Sequence, residues 1–236
     1  MNSSPEGTAI EPKPATWRQS KWLALVEITI FGLIFLADKK HLIPVSETPF
    51  LLAFAWITLR VRRRRWRDVG LTRYRSWARS FALGIGAGLL MEGIELFVSQ
   101  PLLVRFTGRQ PDLSDFQAVH PNVKLLLFFV VLSWTLAAFG EEMVWRGYLM
   151  NRVADLMNRT RLAWIVSLIV VHVGFGLGHS YQGITGIIDE GLMGVLLGLL
   201  YLGTERNLSV PIIAHGVSDT VDMLLIFFGR YPGIGH

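Results

Sequence analysis

The sequence predicts an all-α fold, a polytopic helical membrane protein of about seven spans, and three observations predict it. Of 236 residues, 51% are hydrophobic and only 17% are charged, with a mean hydropathy of +0.41. That is more apolar surface than one soluble core needs. The apolar residues come in long blocks, which must close their own backbone hydrogen bonds in lipid and so form helices. The basic residues gather between blocks rather than along them, as in the cytoplasmic loops of membrane proteins.

Taken in order, residues 1–20 hold prolines, glycines and hydroxyl residues without an apolar period, and read as a disordered tail. Residues 21–121 hold the N-terminal spans and a basic loop. Trp22–Ala37 is the first span, interrupted by Glu27; Asp38-Lys39-Lys40 follows instead of a small-residue cleavage site, so the span is retained. Pro49–Leu59 is the second, short enough that it must begin earlier or tilt. The segment from Arg60 to Arg79 carries nine arginines against one acid, Asp68. Its place beside apolar spans marks a cytoplasmic loop in contact with anionic headgroups, not a nucleic-acid surface.

Phe81–Val98 is the third span, with Gly84 and Gly88 spaced for close helix packing and Glu92 and Glu95 three apart. Residues 99–121 read as a polar loop with three prolines. Residues 122–228 form a four-helix core: a long fourth helix from Asn122 to Met157, then spans Leu162–Leu177, Ile184–Leu202 and Leu208–Phe228. Residues 229–236 are a short tail. Alternating spans put the N-terminus, the Arg60–Arg79 loop and the Arg152–Arg161 turn on one side, taken as cytoplasmic. A site at His215 would then open toward that side.

The chemistry centres on Gly140-Glu141-Glu142-Met-Val-Trp-Arg146, which follows an apolar run. Charged side chains at membrane depth cost roughly 2.5–3.5 kcal/mol each even on mild scales, so they mark function. Glu142 and Arg146 share a helix face and can pair. Glu141 points elsewhere. Phe175-Gly-Leu-Gly-His179 ends the fifth span, and His215-Gly-Val-Ser-Asp219 lies early in the seventh, with Asp222 one turn further. A hairpin of helices four and five brings His179 level with Glu141. His215, only about 10 Å into its helix at 1.5 Å per residue, is harder to place at that depth.

Such a set can hydrolyse. A carboxylate beside an imidazole can take a proton from water, and imidazoles with a carboxylate are also the ligand types of a catalytic zinc. There is no His-Glu-x-x-His, no Gly-x-Ser-x-Gly and no cysteine, which excludes disulfides, thiolate sites and a cysteine nucleophile.

Glu141-Glu142-x-x-x-Arg146, Phe175-x-x-x-His179 and His215-x-x-x-Asp219, in this order on successive helices, resemble the three motifs of the CAAX prenyl endopeptidase and bacteriocin-processing (CPBP, or Abi) family of intramembrane proteases. The resemblance covers Leu125 to Phe228. It implies an endopeptidase acting on a membrane-associated or secreted peptide or protein. Glu141 and His179 would activate water, and His215 with Asp219 would stabilise the oxyanion or hold a metal. On the metal version, a divalent ion such as zinc would be held by Glu141, His179, His215 and Asp219, and an aspartate at position 219 leans toward it. Arg146 would fix Glu142. The implied setting is integral and multi-pass, in the plasma or inner membrane if the chain is prokaryotic. Two readings compete: a non-catalytic binding or immunity protein on the same fold, which needs none of the three motifs, and a proton-coupled transporter, which would leave an internal repeat that the sequence lacks.

Overall fold

The computed structural model describes residues 17–44 and 46–233, and these are all-helical with no strand. Seven long helices account for the seven expected spans: α1 (Lys21–Lys39), α2 (Thr48–Val61), α3 (Trp77–Thr107), α4 (Val123–Leu156), α5 (Arg161–Gly178), α6 (Gly183–Gly203) and α7 (Ser209–Phe227). Five of them, α3 to α7, are long and apolar enough to cross a bilayer. Glu27 and the charges at both ends dilute α1, and α2 has only 14 residues, about 21 Å at 1.5 Å per residue.

Side-chain caps set several helix starts. Ser20 accepts from Leu23 N, Ser76 from Arg79 N, and Thr160 from Ala163 N, each satisfying a backbone donor that the first turn leaves unpaired. Most of the expected tail, residues 1–16, lies outside the described residues, as do 234–236. Residues 17–19 form a turn whose Arg18 Nε donates to Val61 O at 3.0 Å, so this part is ordered.

One boundary differs clearly from expectation. Residues 100–107, read as loop, continue α3 as helix. The backbone widens to π-helical bonding over Glu95–Ser99, and Gln100 N–H donates to Glu95 O, five residues back. Pro101 therefore falls in the first turn of the resumed α-helix, where its missing N–H is harmless.

α7 is the hub. It packs against α3, α4 and α6, and its contact with α3 is the most extensive in the bundle. That contact uses the paired glycines: a Cβ on Gly84 would meet Ile213 Cβ at 2.5 Å, and one on Gly88 would meet Ala214 O at 2.5 Å. Gly86, between them, faces open space. α5 and α6 form a close hairpin, and α1 and α2 flank α4. Trp145 of α4 joins these layers, with its ring edge-on to Phe31 and Phe35 of α1 and to Phe175 of α5.

The two ends of the bundle differ in charge. Arg18, Arg62, Arg64, Arg152, Arg159 and Arg206 surround one cavity at one end. At the other end, polar contacts link neighbouring segments, such as Lys39 Nζ to Gly178 O at 2.6 Å and Asp112 N to Gln182 O at 3.0 Å.

Candidate active site

The site begins in α4, where π-helical bonding extends over Ser133–Leu149 and Met150 N–H donates to Trp145 O. This is far longer than the single-turn π-bulges that commonly mark functional positions. Glu142 and Arg146 lie within it, and both are fully buried.

Arg146 spends all three of its nitrogens. Nη1 donates to Glu142 Oε1 at 2.8 Å, Nε to His172 Nε2 at 3.0 Å, and Nη2 to the Gly194 carbonyl at 3.2 Å. Its guanidinium carbon stands 4.4 Å over the Phe175 ring. The Arg146–His172 bond fixes a tautomer. His172 Nδ1 lies 2.6 Å from Leu168 O, which can only accept, so Nδ1 carries the proton and Nε2 presents its lone pair. His172 is thus a positioning residue for Arg146. Gly194 is small because a Cβ there would press on Phe175, His172 and Arg146 at 2.9–3.2 Å.

Glu142 in turn orients the third motif. Its Oε1 accepts from His215 Nδ1 at 3.0 Å, while His215 Nε2 stands 3.4 Å from Asp219 Oδ1. His215 is clamped between two carboxylates. Glu141, the adjacent residue, takes no part in this layer. It reaches the cavity wall, and its Oε2 is buried without a hydrogen-bond partner. His179 caps α5. Its Nδ1 donates to Phe175 O at 3.1 Å, which leaves Nε2 toward the cavity, 4.0 Å from Glu190 Oε2.

Glu141, His179, His215 and Asp219 all line one cavity of about 280 Å³. Glu141 and His179 also line a second, of about 340 Å³, that runs out between Lys39, Glu47 and Trp145. Glu142 and Arg146 lie behind the wall. Residues 123–221 match the family model described as Rce1-like, type II CAAX prenyl endopeptidase Rce1-like. The match is to this segment, a little under half of the chain. No curated protein and no solved structure matches the chain.

The matched segment contains all three motifs. Five apolar helices of spanning length mark the chain as an integral membrane protein. α3 also belongs to the site, since Glu95 lines the cavity shared by Glu141, His179, His215 and Asp219.

The expected metal set fares differently. Among the described residues no three histidine, aspartate or glutamate side chains converge as a group able to hold a metal. The reason is local: Glu142 and Asp219 face the two ring nitrogens of His215. His215 therefore turns no free lone pair toward Glu141 and His179. The residues of this segment do not fit a zinc ion in this arrangement.

The expected opening toward the arginine-rich end also differs from the structure. The cavity is lined by Ser46, Pro111, Phe116, Tyr181 and Tyr231, all at the opposite end. Toward the arginines the site is sealed by the unbroken buried run Glu142–Leu149. The depth of His215 has the same origin. α7 starts partway up α4, with Leu208 against Gly147, where a Cβ would meet Leu208 Cδ1 at 2.8 Å. Six residues into α7 therefore reaches Glu142.

Several residues of the site carry no motif. Asp189 and Glu190 of α6 line the cavity; Ser99 Oγ donates to Asp189 at 2.6 Å, and Gln182 Nε2 to Glu190 at 3.1 Å. Their signal was available: like Glu141-Glu142, they are adjacent carboxylates inside an apolar block. Asp222 continues the His215–Asp219 stripe along the same cavity, beside Glu92 and Glu95. Tyr231, in the expected tail, is buried and donates to Glu95 Oε1 at 3.3 Å.

Proposed function

We propose that the chain is a multi-pass intramembrane endopeptidase in which a water held by Glu141 and His179 hydrolyses a peptide bond. One observation carries the reading. Glu141 lines the same cavity as His179, whose tautomer is fixed by Phe175 O so that Nε2 is left to accept. A carboxylate and an imidazole lone pair lining one cavity can form a general-base pair.

The reaction follows from these positions. Glu141 removes a proton from the water as its oxygen attacks the scissile carbonyl carbon. His179 Nε2 accepts the second water hydrogen bond and orients the attack. His215, held by Glu142 and Asp219 on its two nitrogens, lines the same cavity as a cationic ring whose charge favours the developing oxyanion. The carbon–nitrogen bond then breaks, and the proton on Glu141 passes to the leaving amine. Arg146 and His172 hold Glu142, and through it His215; they are positioning residues. No step passes through a metal.

The substrate is a peptide or protein segment entering from the end opposite the arginines. With the arginine-rich end cytoplasmic, that is the non-cytoplasmic face, which favours secreted or membrane-embedded substrates. Cleavage of a fluorogenic peptide library by purified chain tests the reading. Glu141→Gln and His179→Gln should each abolish turnover and leave the unfolding temperature within about 2 °C, roughly 1 kcal/mol for a chain of this size. Retained cleavage by Glu141→Gln would overturn it.

A further inference from the structure

The arginine-rich end holds a cavity of about 460 Å³ that the proteolytic reading does not use. It is walled by the start of α1, the end of α2, the end of α4 and the loop between α6 and α7. Six arginines line it, against Asp68 and Asp155. Two of the arginines are nearly inaccessible: side-chain exposure is 5% at Arg62 and 6% at Arg152.

Both are held from below by one carboxylate. Glu27 accepts from Arg62 Nε through both oxygens, at 2.8 and 2.9 Å, and lies 3.6 Å from Arg152 Nη1. Arg62 Nη1 donates to Arg18 O at 2.7 Å, and Arg152 Nη2 pairs with Asp155 at 3.0 Å. After these bonds, Arg62 Nη2, Arg152 Nε and Arg152 Nη1 remain buried with no hydrogen-bond partner. An unsatisfied buried donor on a charged group is expensive, and here three belong to two arginines that line one cavity. The C-termini of α2 and α4 meet at this end and favour cations, which accounts for some arginines being there. It does not account for donors turned away from every carbonyl.

We propose that this cavity binds a phosphate-type oxyanion, the headgroup of an anionic phospholipid or a free phosphate. Guanidinium forks match phosphate oxygens in geometry and charge. Arg62 and Arg152 form the floor, and Arg64 and Arg206 on the exposed rim complete the site. Because Glu27 and Asp155 anchor the floor from the protein side, the site exists before the ligand arrives.

The test uses the full chain purified in a neutral detergent, with thermal unfolding as readout. Dioleoylphosphatidylglycerol and inorganic phosphate are titrated separately, each against sodium chloride of matched ionic strength. At saturation the unfolding temperature should rise by about 5 °C. The rim variant Arg64→Gln/Arg206→Gln leaves the Glu27 ion pairs intact and should weaken binding about fivefold per arginine. A shift with the lipid alone identifies a headgroup site; a shift with inorganic phosphate as well identifies a site for free oxyanions. No shift beyond the salt control from either probe would overturn the proposal, and so would a shift that the rim variant leaves unchanged.

Discussion

Removing the Glu142 carboxylate is the sharpest probe of how this site is held together. Glu142 and Arg146 are both fully buried and bonded at 2.8 Å, and Glu142 also holds His215. Glu142→Ala strands the guanidinium with only the neutral partners His172 and Gly194 O. Breaking a buried pair from one side costs about 3–5 kcal/mol, because the surviving charge stays desolvated. For a chain of this size each kcal/mol moves the unfolding temperature by about 2–4 °C, so a drop of roughly 6–20 °C is expected. Arg146→Ala should fall in the same range. The double variant Glu142→Ala/Arg146→Ala leaves no stranded charge and should be more stable than the sum of the singles by about 2 kcal/mol or more. Thermal unfolding followed by tryptophan fluorescence, run as a double-mutant cycle, measures this directly. Additivity of the two singles within about 0.5 kcal/mol would refute the paired layer and leave His215 without its proposed support.

Other outcomes follow from the same geometry. Gly88→Ala should loosen α7 from α3 and cost about 1–3 kcal/mol through overpacking, whereas Gly86→Ala, which meets nothing, should be neutral or gain up to about 1 kcal/mol; equal effects would contradict the assigned face. Glu27→Ala should destabilise by about 3–5 kcal/mol by freeing Arg62 and Arg152, so a variant with unchanged unfolding temperature would show that this buried triad is not formed. Reporters placed in the Arg60–Arg79 segment and after Arg230 should report opposite faces, the first cytoplasmic; the same face for both would break the alternation on which the cavity's orientation depends.

The helices were legible because an apolar block of bilayer length leaves the backbone little alternative. α4 to α7 lie within two residues of where the sequence places them. The pairing of Glu142 with Arg146, and of His215 with Asp219, was legible for a local reason: four-residue spacing puts both partners on one face. What escaped was non-local. Glu27 meets Arg62 and Arg152, 35 and 125 residues away, and no spacing rule reaches so far. The depth at which α7 begins is set by Leu208 against Gly147 and by Leu208 N bonding Gly70 O at 2.8 Å. Without that offset, the sequence put His215 too shallow and aimed the site at the wrong end. The continuation of α3 past Pro101 was hidden because proline was read as a stop, although a preceding π-turn made it a start.

The three anchors of Arg146 bear on how the protein enters its membrane. Two of them, His172 and the Gly194 carbonyl, belong to α5 and α6, which leave the ribosome after α4. A solitary α4 would carry Glu141, Glu142 and Arg146 into lipid, at roughly 2.5–3.5 kcal/mol each near the bilayer centre. Until about fifty more residues have been made, those charges have no permanent shelter. α4 must therefore wait in an aqueous or translocon-lined setting and move into lipid together with the hairpin that follows it. A chain truncated after Arg161 should fail to integrate stably, even though its last helix is, by hydropathy, the most apolar of the bundle.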